Sequence, residues 1–240
     1  MRSLIIIPSY NERENIEKLI SEIFTVSPDL NILVVDDNSP DGTGELLDKI
    51  AKADLRVKVI HRAGKLGLGT AYIEGFKYAI SQGFDYIFEM DADLSHEPKY
   101  ILEMQKKMEQ GFDLVIGSRY LEGISVVHWD LKRLMLSLWA SFYARTITGL
   151  VLTDPMSGFK CYRKKVLESI PLDKVKSNGY SFQMEMHFRA AKAGFKLAEV
   201  PIVFVDRFNG KSKMGWKIIL EAMLMAPRLR LGKGGDSRIL

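Results

Sequence analysis

Cysteine is almost missing from this chain of 240 residues, where Cys161 stands alone. A single thiol has no internal partner, so the fold owes nothing to disulfides and a reducing compartment is the expected setting. Long hydrophobic runs are missing too. The longest mainly apolar stretch, residues 134–144, is broken by Arg145 and falls short of the ~20 residues that a spanning helix needs. The start of the chain has four apolar positions, residues 4–7, before Pro8 and a charged segment. That is too few for a secretory signal core, so the cytosol is the expected location, with any membrane met from its cytosolic face. A one-sided charge is also absent. The net charge of +4 comes without a Lys/Arg block or a nucleic-acid motif, which argues for small anionic partners and against nucleic acid. What remains is ordinary for a globular protein able to bury a substantial core, with 47% hydrophobic and 27% charged residues.

Strand-like and helix-like segments alternate through the first half. Ser3-Leu-Ile-Ile-Ile7 is a continuous apolar run of the kind that suits a strand covered on both faces. A polar elbow, Pro8-Ser-Tyr-Asn-Glu12, follows. Asn11 with Glu14 then has capping-box spacing ahead of the helical stripe Ile16, Leu19, Ile20, Ile23 and Phe24. The unit recurs at Asn31-Ile-Leu-Val-Val35, Arg56-Val-Lys-Val-Ile60, Tyr86-Ile-Phe88 and Asp113-Leu-Val-Ile116, each leading into a helical pattern. Such alternation predicts an α/β fold of the Rossmann-like kind, a mainly parallel sheet flanked by helices. Ligands of such sheets bind outside the carboxyl ends of the strands.

The polar residues at those ends are Tyr10 and Glu12, Asp36 and Asp37, Asp91 and Asp93, and Arg119. Asp91 and Asp93 lie two apart at the exit of a strand, so they point the same way. Paired hard oxygen ligands without Cys or His beside them suit Mg²⁺ or Mn²⁺ held jointly with a phosphate. Alone, Asp-Ala-Asp reads equally well as a solvated turn. Together the strand exits make a nucleoside-diphosphate site. Asp37 can accept two N–H groups from guanine or one from uracil, or serve only as a charge at a helix N-terminus. The loop Gly64-Lys-Leu-Gly-Leu-Gly69 lacks the Gly-Lys-Ser/Thr ending of a phosphate-binding P-loop and reads as a flexible turn.

The second half opens with an amphipathic helix over residues 129–152, its apolar face assigned to Leu131, Leu134, Met135, Leu138 and Phe142. Arg133, Ser137, Ser141 and Arg145 are successive i,i+4 neighbours. That row either grips a phosphate or is a solvated face. Phe159-Lys-Cys-Tyr162 reads as a short strand, Ser181 as the cap of a helix ending at Gly194, and residues 196–205 as a further strand. A basic loop, Asp206-Arg-Phe-Asn-Gly-Lys-Ser-Lys213, precedes a helix over residues 214–226 that Pro227 is expected to stop. That helix is apolar nearly all round, so it is either buried or lies on lipid with the trailing cations toward anionic headgroups.

These motifs carry a resemblance. Pro8-Ser-Tyr-Asn-Glu-Arg-Glu14, Val34-Val-Asp-Asp-Asn-Ser-Pro-Asp-Gly-Thr43, Leu66-Gly-Leu-Gly-Thr-Ala71, Met90-Asp-Ala-Asp-Leu-Ser-His96 and Gly117-Ser-Arg-Tyr120 resemble the inverting family 2 glycosyltransferases with the GT-A fold. Trp129-Asp-Leu-Lys-Arg133, Tyr180-Ser-Phe-Gln-Met-Glu-Met186 and Val200-Pro-Ile-Val-Phe-Val-Asp-Arg207 narrow the resemblance to dolichyl- or polyprenyl-phosphate mannosyltransferases. The resemblance implies one GT-A domain over residues 1–240. It would comprise a nucleotide-sugar half (1–120), an acceptor half (121–213) and an amphipathic basic C-terminal segment (214–240). It implies that Pro8, Tyr10, Glu12, Val35 and Asp37 hold the guanosine of GDP-mannose. Asp91, Ala92 and Asp93 would contact the sugar diphosphate and the metal, with Asp93 and Arg119 as the catalytic pair. Arg207 and Lys213 would reach the diphosphate, and Arg133 and Ser137 would receive the acceptor's phosphate. Many microbial relatives continue into transmembrane helices. This chain resembles the shorter branch, which works at the membrane surface and can borrow a small membrane-anchoring subunit.

The implied reaction is mannosyl transfer with inversion to a dolichyl or polyprenyl monophosphate. A phosphomonoester has its second pKa near ~6 and is already largely ionised at neutral pH, so it needs no general base. A hydroxyl acceptor would need one, and Asp154 and Glu185 are the available carboxylates. Two other readings stay open at this point. One is the same fold with another donor, such as UDP-glucose or UDP-GlcNAc. The other is a phosphoacceptor receiver, suggested by Ile32-Leu-Val-Val-Asp-Asp37 but opposed by the full β-α unit that precedes it.

Overall fold

The structure, a computed structural model, describes residues 1–175, 177–206 and 216–232. The first half builds as its pattern predicts. Strands β1 (Ser3–Ser9), β2 (Asn31–Asp36), β3 (Val57–His61), β4 (Tyr86–Glu89) and β5 (Leu114–Ser118) alternate with helices α1 (Ile16–Val26), α2 (Thr43–Ala53), α3 (Leu68–Ser81) and α4 (Tyr100–Glu109). The short strand β6 (Val126–Val127) leads into α5 (Leu131–Thr148). Then come β7 (Lys160–Arg163), α6 (Lys164–Ser169), α7 (Gly179–Lys192), β8 (Leu197–Pro201), β9 (Phe204–Val205) and α8 (Trp216–Arg230).

Seven strands form one sheet in the order β3-β2-β1-β4-β7-β5-β8, and β6 pairs with β9 beside it. All neighbours in the large sheet are parallel except β7, which runs antiparallel between β4 and β5. The continuous apolar runs follow from burial on both faces. Ile5, Ile7, Ile32 and Val34 pack toward α1, α2 and α4, while Leu4, Ile6, Leu33 and Val35 pack toward α3, α6 and α7. A third cluster joins α5, α7 and α8 through Ala144, Met184, Ala226 and Leu229.

Several local expectations are corrected. Asn11 is not a helix cap: it sits at φ 59, and α1 starts at Ile16 after Asn15, whose amide donates to Glu12 Oε2 at 2.9 Å. Ser181 lies inside α7, which begins at Gly179 after Asn178. The expected strand over residues 196–205 is two strands, because the chain leaves the large sheet after Pro201 and rejoins β6 at Phe204. Pro227 does not stop α8, which runs on to Arg230. The largest reversal concerns α5. Of its expected core face Leu134 and Leu138 are half-buried, but Leu131 is 72% exposed, Met135 60% and Phe142 66%, as is the neighbouring Trp139 at 46%, whereas Ser141, Ala144 and Thr148 are buried. The buried face instead packs against α7 and α8 through Ala144.

Candidate active site

The parallel strands deliver their carboxyl ends to one edge of the sheet, and there a cleft of about 330 Å³ opens, a volume ordinary for a small-molecule site. At its β1–β2 end it is walled by Pro8, Tyr10, Glu12 and Asp37. Asp36 does not take part directly, since its carboxylate accepts from Ser39 N (3.1 Å) and Ser39 Oγ (2.6 Å) and so shapes the loop. Asp37 is gripped by a cation that the sequence reading did not single out. Arg62, buried just beyond β3, brings Nη1 to 2.7 Å from Asp37 Oδ1 and also donates to Thr70 Oγ1 at 2.5 Å. Lys65 closes over the ring of Tyr10, 4.0 Å from its centroid. Val35 lies in the core with its side chain fully buried and does not line the cleft.

In the middle of the cleft, beyond β4, lie Asp91, Ala92 and Asp93. The turn that aims them is held locally: Asp93 Oδ1 accepts from Ser95 N (3.1 Å) and Ser95 Oγ (2.5 Å), and Leu94 adopts φ 61. His96 borders the same place, stacked on Phe159 with ring centroids 5.2 Å apart, and burial keeps its imidazole toward the neutral form. Among the described residues no group of three or more His, Cys, Asp or Glu side chains is placed to hold a metal by itself. Two carboxylates whose remaining ligands come from a bound phosphate group remain compatible with that.

The far wall carries the arginines. Arg119 lines the cleft but is already paired, with Nε 2.6 Å and Nη2 2.7 Å from the two oxygens of Asp154, which is wholly buried. Asp154 more than offsets the desolvation of the guanidinium and holds its pKa above the usual arginine value. The other carboxylate considered as a base is also engaged. Glu185 accepts from Ser177 Oγ at 2.5 Å and from Arg189 Nε at 2.8 Å, and it does not line the cleft. Arg133 does line it, paired with Asp206 and stacked over Trp129 at 4.3 Å. Ser137, one turn further along α5, does not line the cleft and accepts a hydrogen bond from Tyr120 at 2.7 Å. The row then leaves the site, since Ser141 is buried under other helices and Arg145 is exposed. Arg207 and Lys213 lie outside the described residues.

Beneath Asp91 is a buried polar layer. Glu89 and Lys160 face each other across the β4–β7 pair, 3.6 Å apart and both fully buried. Desolvation raises the pKa of the carboxyl and lowers that of the ammonium to about 8. Lys160 also donates to Gln183 of α7, which lines the cleft with Tyr180. The strand-exit rule, extended to β3, could have found Arg62. Lys160 and Asp206 gave no local signal, because their roles depend on which strands become neighbours.

Comparison with known proteins points the same way. The profile of Glycosyl transferase family 2 matches residues 4–170. The polyprenol monophosphomannose synthase of Mycolicibacterium smegmatis is 46% identical, over 92% of this chain and 84% of that protein. The undecaprenyl-phosphate mannosyltransferase of Micrococcus luteus is 44% identical, over 95% and 93%. Among solved structures, glucosyl-3-phosphoglycerate synthase of Mycobacterium tuberculosis with uridine diphosphate superimposes with a TM-score of 0.67 at 19% identity, over 98% of this chain and 82% of that one. The fold is therefore of the GT-A kind.

Proposed function

This chain belongs to glycosyl transferase family 2, and from that premise we propose that it moves mannose from GDP-mannose to a dolichyl or polyprenyl monophosphate, inverting the anomeric centre. Mannose and a polyprenyl phosphate are both in the names of the two relatives. The guanosine part of the donor rests on Asp37 alone, whose carboxylate suits the paired N–H groups of a guanine edge. Pro8, Tyr10 and Glu12 flank that nucleoside end, with Val35 packed beneath it.

The observation that carries the acceptor assignment is the state of the carboxylates. Asp154 is consumed by Arg119 and Glu185 by Arg189, so neither is available as the base a hydroxyl nucleophile needs. Arg133 meanwhile stands on the cleft wall with an anion, Asp206, already on it. In the proposed complex the acceptor phosphate takes the place of Asp206 on Arg133, with Ser137 one helical turn further along α5 as its second partner. Its oxygen, ionised at neutral pH, attacks the anomeric carbon in line as GDP leaves. Asp91 and Asp93, with the donor's own phosphate oxygens, form a hard-oxygen set suited to Mg²⁺ or Mn²⁺. Such an ion, when bound, neutralises charge on the diphosphate. Arg119 lines the cleft near that group, and Arg207 and Lys213, outside the described residues, are assigned to it as well.

Peripheral binding at the cytosolic face of a membrane completes the reading. No described helix is long and apolar enough to cross a bilayer. The outward apolar stripe of α5 instead offers a surface for lipid, or for a small anchoring subunit. In this reading residues 1–120 carry the donor, 121–213 the acceptor and 214–240 part of the membrane-facing segment. The direct test is a panel of labelled sugar nucleotides assayed with polyprenyl phosphate and Mg²⁺ or Mn²⁺. GDP-mannose should give the highest turnover, and Asp91→Asn or Asp93→Asn should abolish it. Faster turnover with UDP-glucose would overturn the donor assignment, and turnover only with hydroxyl acceptors would overturn the phosphate one.

A further inference from the structure

Arg62 stands behind the cleft, yet its contacts all lead to one end of it. Its side chain is only 4% exposed and takes no part in the cleft lining, so a ligand in the cleft meets Asp37 and not Arg62. Nη1 lies 2.7 Å from Asp37 Oδ1, in an ion pair whose carboxylate is itself only 10% exposed. Nη1 also donates to Gly67 O at 3.3 Å and Nη2 to Thr70 Oγ1 at 2.5 Å, while the backbone N–H of Arg62 donates to Asp36 O at 2.8 Å. One residue thus ties together the exit of β2, the glycine loop over residues 64–69 and the start of α3.

That loop is not the flexible turn that its glycines suggest. Gly67 adopts φ 103, and a Cβ on it would come within 2.8 Å of Asn178 Oδ1, which accepts from Gly69 N at 3.1 Å. The glycines let the loop close onto the segment before α7. From there Lys65, Gly67 and Leu68 line the cleft with Asp37 and Tyr10, and Lys65 Nζ lies 4.0 Å from the centroid of the Tyr10 ring. Arg62 therefore anchors both the carboxylate and the loop of the nucleoside end. A buried carboxylate that reads the edge of a base needs its charge offset and its direction fixed. An ion pair does the first, and the bonds of Arg62 to Gly67, Thr70 and Asp36 do the second by leaving the guanidinium no freedom to drift.

We propose that Arg62 is a positioning residue for donor choice, fixing the Asp37 carboxylate so that it selects guanine over other bases. The assignment deepens the GDP-mannose reading above and rests on it. Guanine offers a carboxylate N–H donors along its edge, where adenine turns a lone pair on N1 toward it. A fixed carboxylate rejects the second, whereas a loose one can turn aside.

The test is calorimetry of nucleoside diphosphates with the full chain and Mg²⁺, which needs no turnover. GDP and ADP share ribose and diphosphate, so the ratio of their affinities isolates the base and is not moved by a general loss of stability. In the wild type GDP should bind about tenfold to a hundredfold more tightly than ADP, the scale of a charge-assisted hydrogen bond. Arg62→Met should cut that preference to about threefold or less by weakening GDP, with ADP affinity within about twofold of wild type. Arg62→Lys keeps the charge without the fork and should restore part of the preference. If Arg62→Met fails to fold because it strands a buried charge, Arg62→Met combined with Asp37→Asn removes the pair together. That double variant should show the same GDP-to-ADP ratio as Asp37→Asn alone, since Arg62 acts only through Asp37. Full preference for GDP in folded Arg62→Met would overturn the proposal, as would a double variant whose preference falls below that of Asp37→Asn. A wild type that binds ADP or UDP as tightly as GDP would instead remove the guanine assignment, and this inference with it.

Discussion

Charge partners decide what each residue of the cleft can do, and Arg133 and Asp154 show the contrast. Arg133 is partly accessible and its partner Asp206 comes from the segment just after β9, so an incoming phosphate can replace one anion with another. Removing it should weaken the acceptor selectively. Charge-assisted hydrogen bonds are worth roughly 1.5–3 kcal/mol, so Arg133→Ala should lower kcat/KM for lipid phosphate by about tenfold to a hundredfold. Affinity for GDP-mannose, measured by calorimetry, should hardly change. Asp154→Asn would ordinarily be read as a test for a general base, but Asp154 is the buried counterion of Arg119. Breaking such a pair from one side costs about 3–5 kcal/mol, so that variant should first lose stability in urea unfolding. Any activity it lacks at moderate temperature should be regained on cooling or with saturating donor. If Asp154→Asn is as stable as wild type and still inactive, Asp154 has a chemical role. The sequence pointed to both carboxylates but not to their engagement. Arg119 and Asp154 are brought together by the insertion of β7 beside β5, which no local pattern announces.

At the scale of elements, α5 is where periodicity was legible and its meaning was not. Spacing separates the helix's apolar and polar faces, but which one is buried depends on what the rest of the chain sets opposite. Here α7 and α8 cover the face with Ser141, Ala144 and Thr148, and the cleft takes Arg133. Leu131, Met135, Trp139 and Phe142 are left in solvent on the neighbouring face. The described end of α8 is buried on one side, where Ala226 and Leu229 pack against the other helices, and exposed on the other at Leu224, as is Leu231 just beyond it. Tyr143 Oη donating to Met223 O at 2.9 Å ties the two helices together. Deleting α8 would therefore open the core, and a cleaner probe of membrane binding lies on α5. Met135→Glu with Phe142→Glu changes exposed positions, which typically costs under ~0.5 kcal/mol each. The double variant should sediment far less with anionic liposomes and turn over long-chain lipid phosphate poorly, yet keep wild-type activity on a short, water-soluble prenyl phosphate. Equal sedimentation of variant and wild type would remove α5 from the membrane contact.

For the molecule as a whole, the parallel sheet and its ligand edge could be read from five apolar runs and their polar exits, because a strand buried on both faces leaves that signature in sequence. The antiparallel β7 could not, since Lys160-Cys-Tyr-Arg163 looks like any short strand and its direction is set by the chain's path. That strand also brings a polar layer into the interior, and the layer ties global stability to pH. His187 on α7 is fully buried, with Nδ1 2.9 Å from Pro155 O. Burial, aided by the charge of Lys160, holds its pKa well below the ordinary 6.5. The unfolded chain therefore binds this proton more readily than the native one. Stability from a neutral His187 is fully present above pH 6.5 and is lost as pH falls from there through the depressed native pKa, by about 1.4 kcal/mol per pH unit. Glu89 works in the opposite sense, since its raised pKa favours the native state as acid protonates it. A comparison that holds Glu89 constant isolates the histidine. His187→Asn keeps a donor for Pro155 O and cannot titrate. Urea unfolding between pH 7.5 and 5 should then show the wild type losing stability faster than the variant below about pH 6.5. Parallel pH profiles for the two proteins would mean that His187 takes up its proton in the native state, and that the buried layer is more open to water than its burial implies.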